Sequence, residues 1–476
     1  MIYQLRDYQQ EASDASIRFF RNGSDRNGLL ILPTGSGKSL CIADIAHRLD
    51  GNVLVFQPSK EILEQNYAKL KSYGVEDCSI YSASFNKKEI SRITFATIGS
   101  VKSHMEDFNH FRYIIVDECH TCNPQGGMYR KFFDCAKRKI LGLTATPYRL
   151  YASLQYLDRN GKQVFRPREP RVNESFERQI EQMDREDKLL ASPELFQDDT
   201  AHSKIVMTPE LSAYIEEKND YTKRSIEFEN DILDGSIVPE NKCILKFLTR
   251  MRPRIFHDVI YQVDISTLLQ RGYLATLSYF DLSIMTHAAL KRNSTGMDFD
   301  DDALKAQYDQ CNLSTHLINI VRRLQHPKDG RPRKGILVFT RFIEESELLC
   351  EYVDGCAIIT GSTPKKERER ILKEFKEGKI KVVTNVGVLT TGFDYPELDT
   401  VVMARPTMSL ALYYQIVGRA IRPHPDKESA WIVDLAGNYQ RFGKVEDLHL
   451  QQYRSEEYII TGCPDNKERQ LTNVYF

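Results

Sequence analysis

Leu29-Leu30-Ile31-Leu32-Pro33-Thr34-Gly35-Ser36-Gly37-Lys38-Ser39 is the stretch that decides the fold. Apolar residues of strand type run into a glycine-rich turn, and a helical pattern over Lys38 to Leu49 follows at once. Strand, glycine loop and helix in that order make a phosphate cradle. Glycines let successive backbone N–H groups curl round an anion, and the helix N-terminus adds positive potential. In such a loop Pro33, Thr34, Gly35, Ser36 and Gly37 wrap the phosphates, Lys38 reaches the β- and γ-phosphates, and Ser39 holds Mg2+. ATP with Mg2+ is the expected occupant.

Flanking segments place this loop in a sheet. Gly28 to Leu32, Val53 to Gln57, Ile93 to Ala96, Tyr113 to Val116 and Lys139 to Leu143 read as strands, with helices over Lys38 to Leu49 and Lys60 to Ser72. Strands alternating with helices at this spacing predict βαβ units and a mostly parallel sheet. The strand Tyr113 to Val116 ends in Asp117-Glu118, which sets two acids at the carboxyl edge beside the phosphate loop. There Asp117 binds Mg2+ and Glu118 polarises an attacking water. Cys119, His120 and Cys122 follow, but their spacing suits no common zinc pattern.

The α/β pattern restarts in the second half. Gly335 to Thr340, Ala357 to Thr360, Lys381 to Thr384, Thr400 to Ala404 and Ala430 to Asp434 read as strands. Glu344 to Val353, Lys365 to Glu377 and Leu410 to Ala420 read as helices among them. The expected class is α/β, two parallel-sheet lobes with an inserted accessory segment. Expected boundaries are 1–150 for the first lobe, 151–241 for the insertion, 242–334 for the connection, 335–445 for the second lobe and 446–476 for a tail.

The insertion differs in composition. Tyr151 to Glu240 holds 12 Lys+Arg against 20 Asp+Glu, although the 476-residue chain carries a net charge of only -1. It reads as a hairpin with a type I′ turn at Asn160-Gly161, then helices over Glu174 to Leu190 and Pro209 to Leu233. A solvated accessory module and a docking site for a protein partner are both compatible with that charge. The rest of the chain is correspondingly basic, enough for a local track along a polyanion. Met297 to Asp302 reads as an acidic surface loop. Ten scattered cysteines suggest reduced thiols, and neither a signal peptide nor an uninterrupted apolar span of about 20 residues is present. A cytoplasmic protein without a membrane segment is expected.

These motifs, in this order, resemble the superfamily 2 helicases, where PTGSGKS is the usual form of the phosphate loop. Leu5-Arg6-Asp7-Tyr8-Gln9 is similar to their adenine-recognising segment, which implies base contacts from Gln9 supported by Arg6. Phe56-Gln57-Pro58-Ser59-Lys60 and Thr97-Ile98-Gly99-Ser100 stand where the family contacts a nucleic-acid backbone, which implicates Gln57, Lys60 and Thr97. Leu143-Thr144-Ala145-Thr146-Pro147 is similar to the segment that couples hydrolysis to movement. Phe339-Thr340-Arg341, Thr384-Asn385-Val386 and Thr390-Thr391-Gly392-Phe393-Asp394 match further motifs, adding Arg341 and Thr384 on the nucleic acid and Gly392 and Asp394 at the nucleotide. Gln415-Ile416-Val417-Gly418-Arg419-Ala420-Ile421-Arg422 has the form QxxGRxxR, which implies catalytic roles for Gln415 and arginine fingers from Arg419 and Arg422.

The resemblance covers Met1 to Leu150 and Gly335 to Val445 and implies two RecA-like lobes sharing one nucleotide. Within the superfamily, LRDYQQEA, VDECH, GLTATPYRL, NVGVLTTGFDYP and YYQIVGRAIRP look like the RadD group of bacterial DNA-repair ATPases. That likeness implies DNA in preference to RNA. The group carries a cysteine-rich zinc module after its second lobe, where this sequence has only Cys463-Pro464. A motor subunit of a restriction or anti-phage complex is the alternative enzyme reading. A nucleotide-gated scaffold with little turnover is a third, and intact Glu118, Arg419 and Arg422 argue against it.

Overall fold

The computed structural model describes residues 4–190, 207–285, 287, 290–328, 330, 333–390, 395–454 and 457–474. In chain order the first lobe holds α1 (Asp7–Arg21), β1 (Gly28–Ile31), α2 (Lys38–Arg48), β2 (Val53–Phe56), α3 (Lys60–Ser72), β3 (Cys78–Ser82) and β4 (Lys87–Lys88). It continues with β5 (Ile93–Ala96), α4 (Ile98–Val101), β6 (Tyr113–Val116), α5 (Met128–Ala136) and β7 (Ile140–Thr144). Next come β8 (Tyr148–Asp158), β9 (Gln163–Val164), α6 (Glu174–Leu190), α7 (Pro209–Leu233) and β10 (Ile237–Phe247). The connecting segment gives β11 (Asp258–Gln262), α8 (Ile265–Gln270), β12 (Leu277–Asp281), α9 (Asp301–Gln310) and α10 (Leu313–Gln325). The second lobe holds β13 (Ile336–Phe339), α11 (Ile343–Tyr352), β14 (Cys356–Ile359), α12 (Lys365–Lys376), β15 (Val382–Asn385), β16 (Thr400–Met403), α13 (Leu410–Val417), β17 (Ala430–Asp434) and α14 (Asn438–Phe442). Last come β18 (His449–Arg454), β19 (Glu457–Gly462) and β20 (Arg469–Gln470).

The first lobe is built on an eight-stranded sheet of order β11-β1-β7-β6-β2-β5-β3-β4, parallel except for the short antiparallel β4. The second has a six-stranded sheet of order β12-β17-β16-β13-β15-β14, parallel throughout. Parallel sheets are covered on both faces, so their strands are apolar runs without alternation. Accordingly β1, β2, β5, β6, β13, β15 and β16 are buried at every position.

The connecting segment is more than a linker. β11 pairs in parallel with β1, and β12 with β17, so it supplies an edge strand to each lobe. Residues expected as a tail form an antiparallel sheet of order β18-β19-β20, which buries Ile459, Ile460 and Leu471.

Residues 153–242 form a compact unit of their own, separate from the unit of 1–152 and 243–476. In it, Tyr156 of β8 meets Phe228 of α7 edge-on, with ring centroids 4.9 Å apart. The β8–β9 hairpin is present, but its turn is not type I′, which requires positive φ at both central residues. Only Gly161 has it, at 74°, and Gly161 N–H closes the turn on Asp158 O at 2.8 Å. Among the described residues no helix is long and apolar enough to cross a membrane.

Candidate nucleotide and nucleic-acid site

The loop between β1 and α2 owes its shape to two left-handed glycines, Gly35 (φ 82°) and Gly37 (φ 79°). Space forbids a side chain as firmly as backbone conformation does: a Cβ on Gly37 would lie 2.6 Å from Gln9 Nε2. α1 braces the loop from behind. Tyr8 Oη and Gln9 Nε2 donate to Ser36 O at 2.6 and 2.7 Å, and Gln9 Oε1 accepts from Arg6 N at 2.9 Å. Gln9 thus holds the loop here, with Arg6 beside it. Pro33, Thr34 and Ser36 are buried, and Ser39 sits in the first turn of α2. Lys38 Nζ donates to Leu32 O and Pro33 O at 3.4 and 3.5 Å and stands 3.9 Å from Glu118 Oε1.

β6 delivers the acids. Asp117 is 4% exposed, accepts from Asn66 Nδ2 of α3 at 3.1 Å, and is held well above the usual carboxylate range by burial and by Glu118 beside it. Burial also raises Glu118, but Lys38, His120 and Arg419 together outweigh it and hold that carboxyl ionised, below its ordinary range. A buried carboxylate kept from ionising by its neighbour is suited to a divalent cation, which reverses the local charge balance. Asp117 and Ser39 are the residues that fit Mg2+. Glu118 adopts left-handed backbone (φ 47°), a strained state for a side-chain-bearing residue that aims its carboxylate at the loop.

His120, which sequence reasoning set aside, is the hub of the site. Its Nδ1 lies 3.0 and 3.1 Å from Thr144 Oγ1 and Thr146 Oγ1 and 3.3 Å from Glu118 Oε2, and its Nε2 lies 3.2 Å from Gln415 Nε2. With the Gln415 amide donating to Nε2, the ring proton sits on Nδ1 and is donated within the first lobe. One imidazole therefore joins Glu118, the end of β7 and the second lobe. The available signal was its place two residues after Glu118.

The lobes meet closely around this point. A Cβ on Gly418 would lie 2.6 Å from Thr34 Cγ2, and one on Gly35 would lie 3.1 Å from Ile421 Cγ2 and 3.8 Å from Arg422 Cγ. Arg419 follows α13 and donates from Nε to Gln415 O at 3.2 Å, and its charge faces Glu118. Burial lowers Arg419 and Arg422 to about 10, which leaves both guanidinium groups charged at neutral pH. Lys38, Asp117, Glu118, Gln415, Arg419 and Arg422 are thus brought to one place. Gly392 and Asp394 lie outside the described residues.

The expected nucleic-acid contacts are dispersed. Lys60 opens α3 and Lys365 opens α12; the two ammonium groups face one another, and Lys365 holds Lys60 below the ordinary lysine range. Thr97 immediately precedes α4, its hydroxyl 2.9 Å from Ser100 Oγ. Gln57 is 1% exposed, and its amide has no hydrogen-bond partner among the described residues. Thr384 is buried within the second lobe, its hydroxyl 2.7 Å from Ser346 Oγ. Arg341 is bound to Asp298 (2.7 Å) and Asp301 (2.8 Å), so the expected acidic loop serves as its counter-ion.

Fold and site together define the class, a two-lobed helicase-type ATPase core of the α/β kind. Residues 2–149 match the family described as type III restriction enzyme, res subunit, and residues 315–424 match the helicase conserved C-terminal domain. Together the two matched regions support a helicase-type enzyme. It is 23% identical over 468 residues to a candidate ATP-dependent helicase, IRC3, of Saccharomyces cerevisiae, covering 91% of this chain but 51% of that protein. It is 23% identical over 434 residues to the DNA 3'-5' translocase XPB2 of Sulfurisphaera tokodaii, covering 90% of this chain and 81% of the relative. Among solved structures, a fragment of a candidate HsdR subunit of a type I restriction enzyme from Vibrio vulnificus YJ016 superposes with TM-score 0.55 at 18% identity. That match covers 93% of this chain and 67% of the other. The chain spans about half the length of the yeast relative.

Proposed function

We propose that this protein is a DNA-stimulated ATPase that translocates on DNA or remodels it, acting in the cytoplasm in repair or recombination as the RadD likeness implies. The observation that carries the reading is the joint between lobes: Glu118 and His120 from one side meet Gln415 and Arg419 from the other. In this reading Lys38 binds the β- and γ-phosphates, Glu118 orients the attacking water, and Arg419 and Arg422 stabilise charge on the transferred phosphoryl group. Mg2+ held by Ser39 and Asp117 neutralises phosphate charge. Because the arginines and the loop belong to different lobes, turnover requires closure, and loss of the γ-phosphate loosens it.

Two facing lysines at helix N-termini, one per lobe, support a phosphate backbone as the track. Opening and closing would alter the spacing of Lys60 and Lys365 and so change the grip on a strand. DNA is preferred over RNA on the strength of the relatives. Match to a restriction-enzyme family and likeness to an HsdR fragment favour a second reading, a motor subunit of a restriction or anti-phage complex. In it the acidic unit 153–242 docks the partner protein.

The test is ATP turnover with single-stranded, duplex and forked DNA and with RNA, using Glu118→Gln as the inactive control. Stimulation by DNA is expected. Indifference to every nucleic acid defeats the motor reading, and stimulation by RNA alone defeats the DNA assignment. A partner that copurifies with the intact chain and is lost on deleting 153–242 would favour the second reading.

A further inference from the structure

Residues 271–275 leave α8 and run past three parts of the nucleotide site in succession. Arg271 Nη1 donates to Asp7 at the start of α1, at 2.6 Å. The Tyr273 ring lies under the Arg6 guanidinium, 4.5 Å from ring centroid to Cζ, and 5.5 Å from the Tyr8 ring, while Tyr273 O accepts from Arg6 Nη1 at 3.4 Å. Leu274 contacts the phosphate loop, where a Cβ on Gly35 would lie 3.1 Å from its Cδ2. Ala275 N donates to Ile421 O, at 2.8 Å, in the turn that carries Arg422.

We propose that Tyr273, contributed by the connection between the lobes, is a base-binding residue of the nucleotide site. The argument starts from the phosphate loop. Ser36 O accepts from both Tyr8 and Gln9, so α1 is fixed to the loop and the residues at its N-terminus flank the loop on that side. In the proposed pose a nucleotide whose phosphates lie in the loop extends its base toward that flank. Of the side chains there, Arg6 and Tyr273 present flat faces already stacked on one another, and both are half-buried rather than enclosed. A phenol face and a guanidinium plane are the two surfaces on which a purine ring stacks. Gly272, left-handed at φ 69°, and the bond from Tyr273 N to Leu268 O (2.9 Å) fix where the ring is delivered.

The proposal rests on reading Gly35 to Ser39 as a nucleotide loop. It adds a residue from outside both lobes, and it makes the strand that enters the second lobe a direct sensor of the base. Three ligands separate the claims: ADP, CDP and inorganic pyrophosphate, each with Mg2+, titrated by calorimetry against the full chain and its Tyr273→Phe, Tyr273→Leu and Tyr273→Ala variants. Tyr273→Ala should weaken ADP about tenfold or more, CDP less, and pyrophosphate not at all. Tyr273→Phe should bind ADP like the parent, and Tyr273→Leu, which keeps apolar bulk but no π face, should resemble Tyr273→Ala at an unchanged melting temperature. Equal weakening of ADP and pyrophosphate, or undiminished ADP binding in Tyr273→Leu, overturns the assignment. A parent chain that binds neither ADP nor pyrophosphate overturns the nucleotide reading beneath it.

Discussion

The two lobes contribute to the site in different ways. In the first, every functional group stands on regular structure: Lys38 and Ser39 in the opening turn of α2, Asp117 and Glu118 directly after β6, all braced from within that lobe by Tyr8, Gln9 and Asn66. In the second, Arg419 and Arg422 lie beyond the end of α13, in a turn whose neighbours belong largely to the opposite lobe. One half is preorganised, whereas the other becomes organised only against it. On the proposed roles, such a division would let the first lobe hold a nucleotide unaided and reserve turnover for the closed state.

Removing the second lobe's contribution should produce the largest effect. Arg419→Ala and Arg422→Ala are each expected to lower kcat by about 10³- to 10⁵-fold, with ADP affinity kept within about tenfold. Steady-state turnover alongside calorimetry checks both halves, and a matching collapse of ADP binding would break the comparison. Glu118→Gln should lower kcat by about 10²- to 10⁴-fold and leave nucleotide bound, which single-turnover assays can read. Gly418→Val tests the joint itself. Its side chain must enter space held by Thr34, so kcat should fall about 10- to 100-fold while first-lobe nucleotide binding is spared.

The smallest effect concerns the brace behind the arginines. Lys427 Nζ donates to Pro396 O, Leu398 O and Ala420 O at 2.7, 3.0 and 2.9 Å, and burial lowers its pKa to about 8. Between that value and about 10.4 the unfolded chain holds more protons than the folded one, so stability rises with pH across this window. Lys427→Met should remove that rise, worth about 1 kcal/mol after solvent screening, and cost turnover a few-fold. Urea melts at pH 7.5 and pH 10 measure the first effect.

The phosphate loop, the acids after β6 and the QxxGRxxR segment were all legible because each combines a short motif with an adjacent, strongly patterned strand or helix. The limits of the strands read from the sequence came within a residue or two for the same reason, although β3, β4, β11 and β12 were not read. What escaped was long-range. Five residues at Asp258–Gln262 carry enough β-character for a strand but nothing that says which sheet edge receives them. Arg341 read as a nucleic-acid contact, since its counter-ions, Asp298 and Asp301, lie some 40 positions away in a segment with no motif. His120 was weighed only as a metal ligand, and the partners that define its role, Thr144, Thr146 and Gln415, come from distant segments. The type I′ expectation failed because Asn-Gly specifies a turn, whereas the turn type depends on how many residues the flanking strands leave unpaired.

The pairing of β11 with β1 has a consequence for how the protein is made. Until β11 arrives, β1 is the outermost strand of the first sheet and shows an open row of peptide groups to any passing chain. β11 lies about 115 residues beyond β7, a delay of about 6 to 23 s at ribosomal elongation rates of about 5–20 residues per second. During that interval the acidic segment 153–242 is being synthesised. The nascent first lobe therefore carries an open strand edge at β1 throughout that interval.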